Sequence, residues 1–599
     1  MNNGISNRLA AAVTACILSL TATAAPAAST PPNRGSRAQF IVEADSTAAA
    51  ARLVRSVGGH VSRPLPIINA VAADLSVRQA QRLNHRPAVH VFADRRVTTS
   101  ATGALAADLQ AVVATIQNAE TTKATGVTNS PPTVYLPIVP GPSTPMLVQA
   151  QSLHAAHTTG AGVTIAMLDT GFTAPSLLFG YDRWGSRVLA TVDFTATQGG
   201  TVVTDAYGHG THITSTAGSA ALDSSGNYYG IAPGANFVIV RAFNATGAGS
   251  YSNVISGLGW IVANQAKYKI RIVNLSLGAT PQSYYWDDPL NQAVMKAWAA
   301  GIVVVVAAGN DGPAAQTIDV PGNVPYVITV GAMTDNHTPY NPTDDHLASF
   351  SSAGPTYEGF VKPEIVAPGG HVVATMPNPS TLSTEIFGTL AADDTLFPLS
   401  GTSMAAAVTS GVVALILQQQ PALTPDEVKC KLMASAAPAV TSAGTLAYSV
   451  FQQGAGLINA VGAVNSTATN CANQGLNISA DLAGTTHFGG PANQDASGNF
   501  YIMDMTSSVP FAADLSDGYT WSAGFPYNQG YTFSDAYTWA KAYTWAKAYT
   551  WAKTYTWSAT AVWSDAYTWA KSETWSASAP SASALAAQSL AAPFPAQEQ

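Results

Sequence analysis

The sequence predicts an α/β protein, a doubly wound and mostly parallel sheet, preceded by a small ferredoxin-like α+β domain. Three observations predict it. Between residues 146 and 464, short continuous apolar runs alternate with helical patterns. Those runs lack strict polar alternation, which suits strands buried on both faces of a parallel sheet. Residues 37–98 read instead as strand, helix, strand, strand, helix, strand, and an Ala/Thr/Pro/Ser-rich stretch then separates the two patterns.

The chain has 599 residues, enough for several domains. Charged residues make up 10%, well below the usual quarter. Ala, Ser, Thr and Gly fill the gap, which suggests an exported protein with a neutral polar surface. A net charge of −8 supplies no electrostatic footprint for nucleic acid or an anionic membrane, so no nucleic-acid partner is expected.

Taken in order, residues 1–25 read as a signal peptide. Arg8 precedes an apolar core at 9–20, and Ala22-Thr23-Ala24 is a small-x-small cleavage site. Val13-Thr14-Ala15-Cys16 looks like a lipoprotein box, but the apolar core runs on past Cys16. Without the leader two cysteines remain, Cys430 and Cys471, which either pair or stay as separate buried thiols. In the small domain (37–98), strands are expected at 39–44, 61–63, 70–75 and 88–92, with helices at 46–57 and 77–83. A linker (99–145) follows. In the large domain (146–465), strands are expected at 163–168, 237–240, 272–277, 302–308 and 327–330, with helices at 254–266, 289–300 and 403–419.

Residues 472–518 show little periodicity and read as an irregular extension. In 519–575 a six-residue unit recurs, with Trp539, Trp545, Trp551, Trp557, Trp563, Trp569 and Trp575 in register. Six steps of about 100° scatter side chains around a helix, whereas an even period keeps them on one face of a strand. The repeat is therefore extended if ordered, with an aromatic face open to cell-wall or polysaccharide material. The alternative is a low-complexity extension without fixed structure. Residues 576–599 read as a disordered Ala/Ser/Pro tail.

Four polar groups fall at the ends of these elements. Ser403, in Gly401-Thr402-Ser403-Met404-Ala405, opens an apolar helix. Unpaired N–H groups and the helix dipole there favour developing negative charge. Asp169 follows the strand at 163–168, at a C-terminal strand end where parallel sheets build sites. His209 lies in Gly208-His209-Gly210-Thr211-His212, and Asn310 ends Ala307-Ala308-Gly309-Asn310 after a buried strand. Singly, each reads as a cap, a turn former or a satisfied polar group. Together they supply an orienting carboxylate, a base, a nucleophile and an oxyanion donor.

In that order along the chain, these motifs resemble those of subtilisin-like serine proteases, the subtilases or peptidase S8 family, over roughly residues 37–465. The resemblance implies that Asp169 orients His209, that His209 takes the proton of Ser403, and that Asn310 and the Ser403 N–H hold the oxyanion. Gly247-Ala248-Gly249 and Leu275-Ser276-Leu277-Gly278, with Ala307 and Gly309, are similar to the family's substrate cleft. Residues 37–98 are similar to its propeptide, a chaperone and inhibitor removed by self-cleavage within the linker. The implied protein is a secreted, extracellular serine endopeptidase acting on proteins or peptides and needing no cofactor for its chemistry. Structural calcium is implied by resemblance alone, with no compact Asp/Asn loop to name its site. Two departures concern packing: Ala407 and Val408 stand where Pro-His is usual, and residues 213–215 read Ile-Thr-Ser. A different class of reading makes the chain a catalytically idle surface-binding protein acting through 519–575.

Overall fold

The structure is a computed structural model. It describes residues 37–99, 143–173, 187–195, 200, 204–335, 338, 344–385, 396–440, 446–494, 498–504, 509–510 and 525–526. The expected leader, nearly all of the linker, all but Phe525 and Pro526 of the aromatic repeats (519–575), and the tail lie outside the described residues.

The N-terminal domain runs β1 (Arg37–Glu43), α1 (Thr47–Ser56), β2 (His60–Leu65), β3 (Ala70–Ser76), α2 (Val77–Asn84) and β4 (His90–Ala93). Its antiparallel sheet has the order β2-β3-β1-β4, as the expected α+β pattern requires. Local signals start both helices. The Ser46 side chain accepts from Ala49 N–H, and Ser76 and Gln79 form a reciprocal capping box. Successive strand residues face opposite ways, so this sheet can serve two cores. Val42, Val71, Ala73 and Leu75 pack on α1 and α2, while Ile41, Ala70 and Ala72 join the core of the large domain.

The large domain is built on an eight-stranded sheet: β6 (Thr164–Asp169), β7 (Val188–Asp193), β8 (Asn236–Arg241), β10 (Ile270–Leu275), β12 (Val303–Ala307), β13 (Ile328–Thr334), β14 (His346–Leu347) and β15 (Ile365–Pro368). The path β14-β13-β12-β10-β6-β8-β7 is parallel from β13 to β7, with β15 parallel to β13 and β14 antiparallel to it. Helices α3 (His209–Gly218) and α6 (Thr402–Gln419) pack together, as do α4 (Tyr251–Ala263) and α5 (Pro289–Ala299). The pairs take opposite faces of the sheet. Gly218 of α3 lies against Phe237 and Gly257 of α4 against Val240, three residues apart on β8. Burial on both sides explains why β12 is entirely buried and reads as an unbroken valine run. Helix α6 is apolar and long enough to cross a bilayer, yet it is almost wholly buried in this core.

Three differences from the sequence reading stand out. The run expected as one strand at 272–277 breaks at Ser276: β10 ends at Leu275, and β11 (Leu277–Gly278) leaves the main sheet. Strands β7 and β15 and helix α7 (Pro425–Ser435) were not anticipated. The stretch read as an irregular extension contains a helix, Ile478–Leu482, and short strands including Ala492–Gln494 and Phe500–Asp504. Its Asp481 is buried and accepts from Tyr285 Oη (2.6 Å) and Tyr326 Oη (3.0 Å), so distant partners order it. Cys430 of α7 is disulfide-bonded to Cys471 just before this stretch.

Polar contacts lock the N-terminal sheet onto α4 and α5. Asp94 accepts from Ser252 N–H (2.9 Å) and Ser252 Oγ (2.6 Å), placing a carboxylate at the first turn of α4. Such a charge at a helix N-terminus stabilises by about 0.3–1 kcal/mol, up to about 2 when partly buried. Arg63 donates to Asn253 Oδ1 (2.9 Å), and Arg95 to Tyr251 Oη (2.9 Å). Glu43 opposes them. Burial pushes its carboxyl up to about 7, the Asp287 charge adds to this, and a Gln292 hydrogen bond and Lys296 only partly offset it.

Those neighbours of Glu43 come with docking, so the docked state holds its proton more tightly than the free domain. Docking is therefore strongest below the ordinary carboxyl range and weakens as pH rises through about 7. The effect is worth up to about 3 kcal/mol before solvent screening reduces it. Hydrogen exchange of the β2–α4 interface should show more opening at pH 8 than at pH 5, and Glu43→Gln should remove most of that difference.

Candidate active site

Asp169 is the last residue of β6 and His209 the first of α3, and both side chains are withdrawn from water. Asp169 Oδ1 lies 2.7 Å from His209 Nδ1 and also accepts from Thr170 N–H at 2.7 Å. An ionised carboxylate only accepts, so Nδ1 carries the ring hydrogen and Nε2 presents its lone pair. His209 Nε2 has no hydrogen-bond partner among the described residues.

Asp205, which sequence reasoning missed, holds this pair in place. Its Oδ1 accepts from Thr170 Oγ1 and Gly208 N–H, both at 2.8 Å. Its Oδ2 accepts from Thr211 N–H (2.7 Å) and Thr211 Oγ1 (2.8 Å). Four donors converge on a buried carboxylate at the start of α3, where the helix leaves N–H groups unpaired. Thr170 Oγ1 accepts in turn from Gly210 N–H at 2.8 Å, tying the end of β6 to α3. The neighbouring His212 is a different group. Burial pushes its pKa down to about 3, and its Nε2 lies 3.0 Å from the Phe397 carbonyl, a structural contact.

Ser403 is the second residue of α6 and is also buried. The chain arrives along the strand Leu396–Leu399 and turns at Gly401, whose φ and ψ of 154° suit a residue without a Cβ. Ser403 Oγ donates to the Ser276 carbonyl at 3.4 Å, and Ser276 Oγ donates to the Ser403 carbonyl at 3.0 Å. Asn274 Nδ2 donates to Ser276 Oγ (2.8 Å), and Ser410 Oγ to Asn274 Oδ1 (2.9 Å). This chain of bonds stitches the end of β10 to the first three turns of α6.

Asn310 follows β12. Its Oδ1 accepts from Thr402 N–H (3.0 Å) and Thr402 Oγ1 (2.9 Å), which fixes the amide orientation. Its Nδ2 is buried with no partner among the described residues. A buried amide donor left open is costly unless a partner satisfies it.

The cleft is occupied by the chain itself. Strand β5 (Arg96–Thr99) runs antiparallel between β9 (Ala248–Ser250) and β11. Val97 pairs with Gly249 and Thr98 with both Ala248 and Gly278. Thr99 pairs with Leu277, and its N–H donates to the Gly247 carbonyl at 3.0 Å. Of the anticipated cleft residues, Gly247, Ala248, Gly249, Leu277 and Gly278 thus meet an extended peptide, and Ser276 meets Ser403. Leu275 and Ala307 end β10 and β12 with side chains in the main core, so they position the cleft and do not line it. Gly309 carries its backbone past Thr402, its N–H 3.2 Å from Oγ1. Ala407 and Val408 are both buried on α6. Among the described residues, no group of three or more His, Cys, Asp or Glu converges as a metal site would require.

The family model described as the subtilase family matches residues 160–484. Serine protease AprX of Bacillus subtilis (strain 168) is 41% identical over 276 residues, 45% of this chain and 60% of AprX. The chain thus spans less than two thirds of that relative's length. Subtilisin DY of Bacillus licheniformis is 34% identical over 315 residues, 52% of this chain and 94% of that protein. Fervidolysin from Fervidobacterium pennivorans, described as a keratinolytic enzyme related to subtilisin, shares the fold. It has a TM-score of 0.54 at 20% identity, covering 78% of this chain and 65% of that one.

The Asp205 network generates a prediction. Asp205→Asn sets an amide NH₂ against N–H donors in a buried site. It should cost roughly 2 kcal/mol or more of stability and loosen His209. Activity toward a peptide should fall by about 10- to 100-fold, since small misplacements of a catalytic group cost that much. Thermal melts alongside turnover measure both, and Thr170→Ser alone should keep near-normal values because it retains the hydroxyl.

Proposed function

This chain belongs to the subtilase family, and from that premise we propose that it is a secreted serine endopeptidase made as a self-processing precursor. The observation that carries the reading is the β5 strand, lying as an extended peptide against both cleft walls beside Asp169, His209, Ser403 and Asn310. Main-chain pairing of this kind holds a substrate with little regard to its side chains.

Each group has a step. Rotation of the Ser403 hydroxyl off the Ser276 carbonyl brings its proton to the open Nε2 of His209. As the proton moves, Asp169 stabilises the imidazolium through Nδ1. Ser403 Oγ attacks the peptide carbonyl, and the oxyanion takes the Asn310 Nδ2–H and the Ser403 N–H at the start of α6. His209 returns the proton to the leaving amine, and water repeats the sequence on the acyl-enzyme. These steps draw only on side chains, backbone N–H groups and water.

Residues 37–99 act in this reading as the chain's own inhibitor. Docked through α4 and α5, they hold β5 where product would lie, and the cut that frees them falls soon after Thr99, within the expected linker. The leader at 1–25 supplies export.

Intact-mass measurement of the purified precursor should show loss of the N-terminal domain with time, while Ser403→Ala stays whole. Identical shortening of both chains would assign the cut to another protease. In the mature enzyme, Asn310→Ala should lower kcat by about 10²–10³ with little change in KM, a magnitude taken over from subtilisin itself.

A further inference from the structure

A carboxylate that the reaction does not use sits between the cleft walls. Asp319 lies between β12 and β13, its N–H donating to the Ala308 carbonyl and its carbonyl accepting from Asn323 N–H, both at 3.0 Å. Its side chain reaches the seam where β11 meets the segment leading to Asn310. A Cβ placed on Gly278 would fall 2.2 Å from Asp319 Oδ2, and one placed on Gly309 only 2.8 Å from it. The two glycines thus leave room for this carboxylate. It has no hydrogen bond or ion pair among the described residues, although it is partly exposed.

The direction of a bound peptide leads to this seam. Thr99 has its Oγ1 3.0 Å from where a Cβ of Gly247 would stand, so its side chain faces that wall. Side chains alternate along a strand. In a substrate held in the β5 register, the next residue turns its side chain the other way, toward Gly278 and Gly309. The same register sets that residue opposite Ser276, whose carbonyl accepts from Ser403 Oγ.

We propose that Asp319 is the floor of the primary specificity pocket and selects a lysine or arginine side chain immediately before the cut; this rests on the protease reading above. A neutral side chain gives this carboxyl no charged partner, whereas an ammonium or guanidinium group gives it one of opposite charge and favours its ionised form. Burial, reinforced by Asp311, pushes Asp319 up to about 8, and Arg95 only partly offsets it, so near neutral pH the carboxyl gives up its proton when a cation arrives beside it. Arg95 belongs to the N-terminal domain and is already engaged with Tyr251 and Thr280, so this cation leaves with that domain.

The test uses the mature enzyme, with active sites first counted by a fluorophosphonate. Peptides then differ only in the residue before the cut: Lys, Arg, norleucine, Leu or Phe. Lys and Arg should exceed the neutral residues at least about tenfold in kcat/KM. Asp319→Asn should lower the Lys and Arg values on the order of 10²-fold while leaving Leu and Phe within about threefold. Fluorophosphonate-reactive enzyme that prefers Leu or Phe overturns the proposal, as does an equal loss on all five peptides. If Asp319→Asn does not fold, lysine against norleucine on the unmodified enzyme decides alone, and parity overturns it. An enzyme that neither reacts with the fluorophosphonate nor cuts any peptide overturns the protease reading and this proposal with it.

Discussion

The 2.7 Å hydrogen bond between Asp169 and His209 Nδ1 is the contact on which the rest of the structure turns. It fixes which ring nitrogen is free, and it does so with both groups out of water. Holding a carboxylate there requires donors, and besides the imidazole only the Thr170 N–H, just past β6, donates to it among the described residues. The remaining precision comes from neighbours. Asp205 gathers Thr170, Gly208 and Thr211, so the end of a strand and the start of a helix move as one unit. The parallel sheet makes this possible, because its strand ends and helix starts meet along one edge.

Much of this was legible in the sequence because it is local. Unbroken apolar runs marked β6, β8, β10 and β12, and the residues just past them carried the polar groups. The order Asp169, His209, Ser403 needed no contact map. What the sequence hid is what depends on distance. β5 has no strong pattern of its own, since its partners are short segments about 150 and 180 residues onward. Asp205 and Asp319 look like ordinary loop carboxylates until four donors, or two glycines, are brought around them. Residues 472–504 lack periodicity because their order comes from Asp481, Tyr285 and Tyr326 meeting across the molecule. Leu275 and Leu277, two positions apart, both turn their side chains into the core, so Leu277 meets β5 through its backbone alone.

The N-terminal sheet shows how one element can belong to two cores. Its residues divide between them by parity, Val42 and Val71 to its own helices and Ile41 and Ala72 to the large domain. Releasing the domain uncovers that second apolar face, which a small sheet on its own tolerates poorly. Glu43 at the same face works against docking, so attachment is a balance of apolar burial against a carboxyl that resists losing water.

The three-stranded arrangement of β9, β5 and β11 carries a consequence for what this cleft can take in. A chain must present several consecutive residues stripped of their own hydrogen-bonding partners, with both edges free, before any side chain is read. A residue inside a helix or a central strand does not meet that condition. Among folded proteins, susceptibility would then follow the free energy of local opening at each segment, with sequence choosing only among segments that have already come loose.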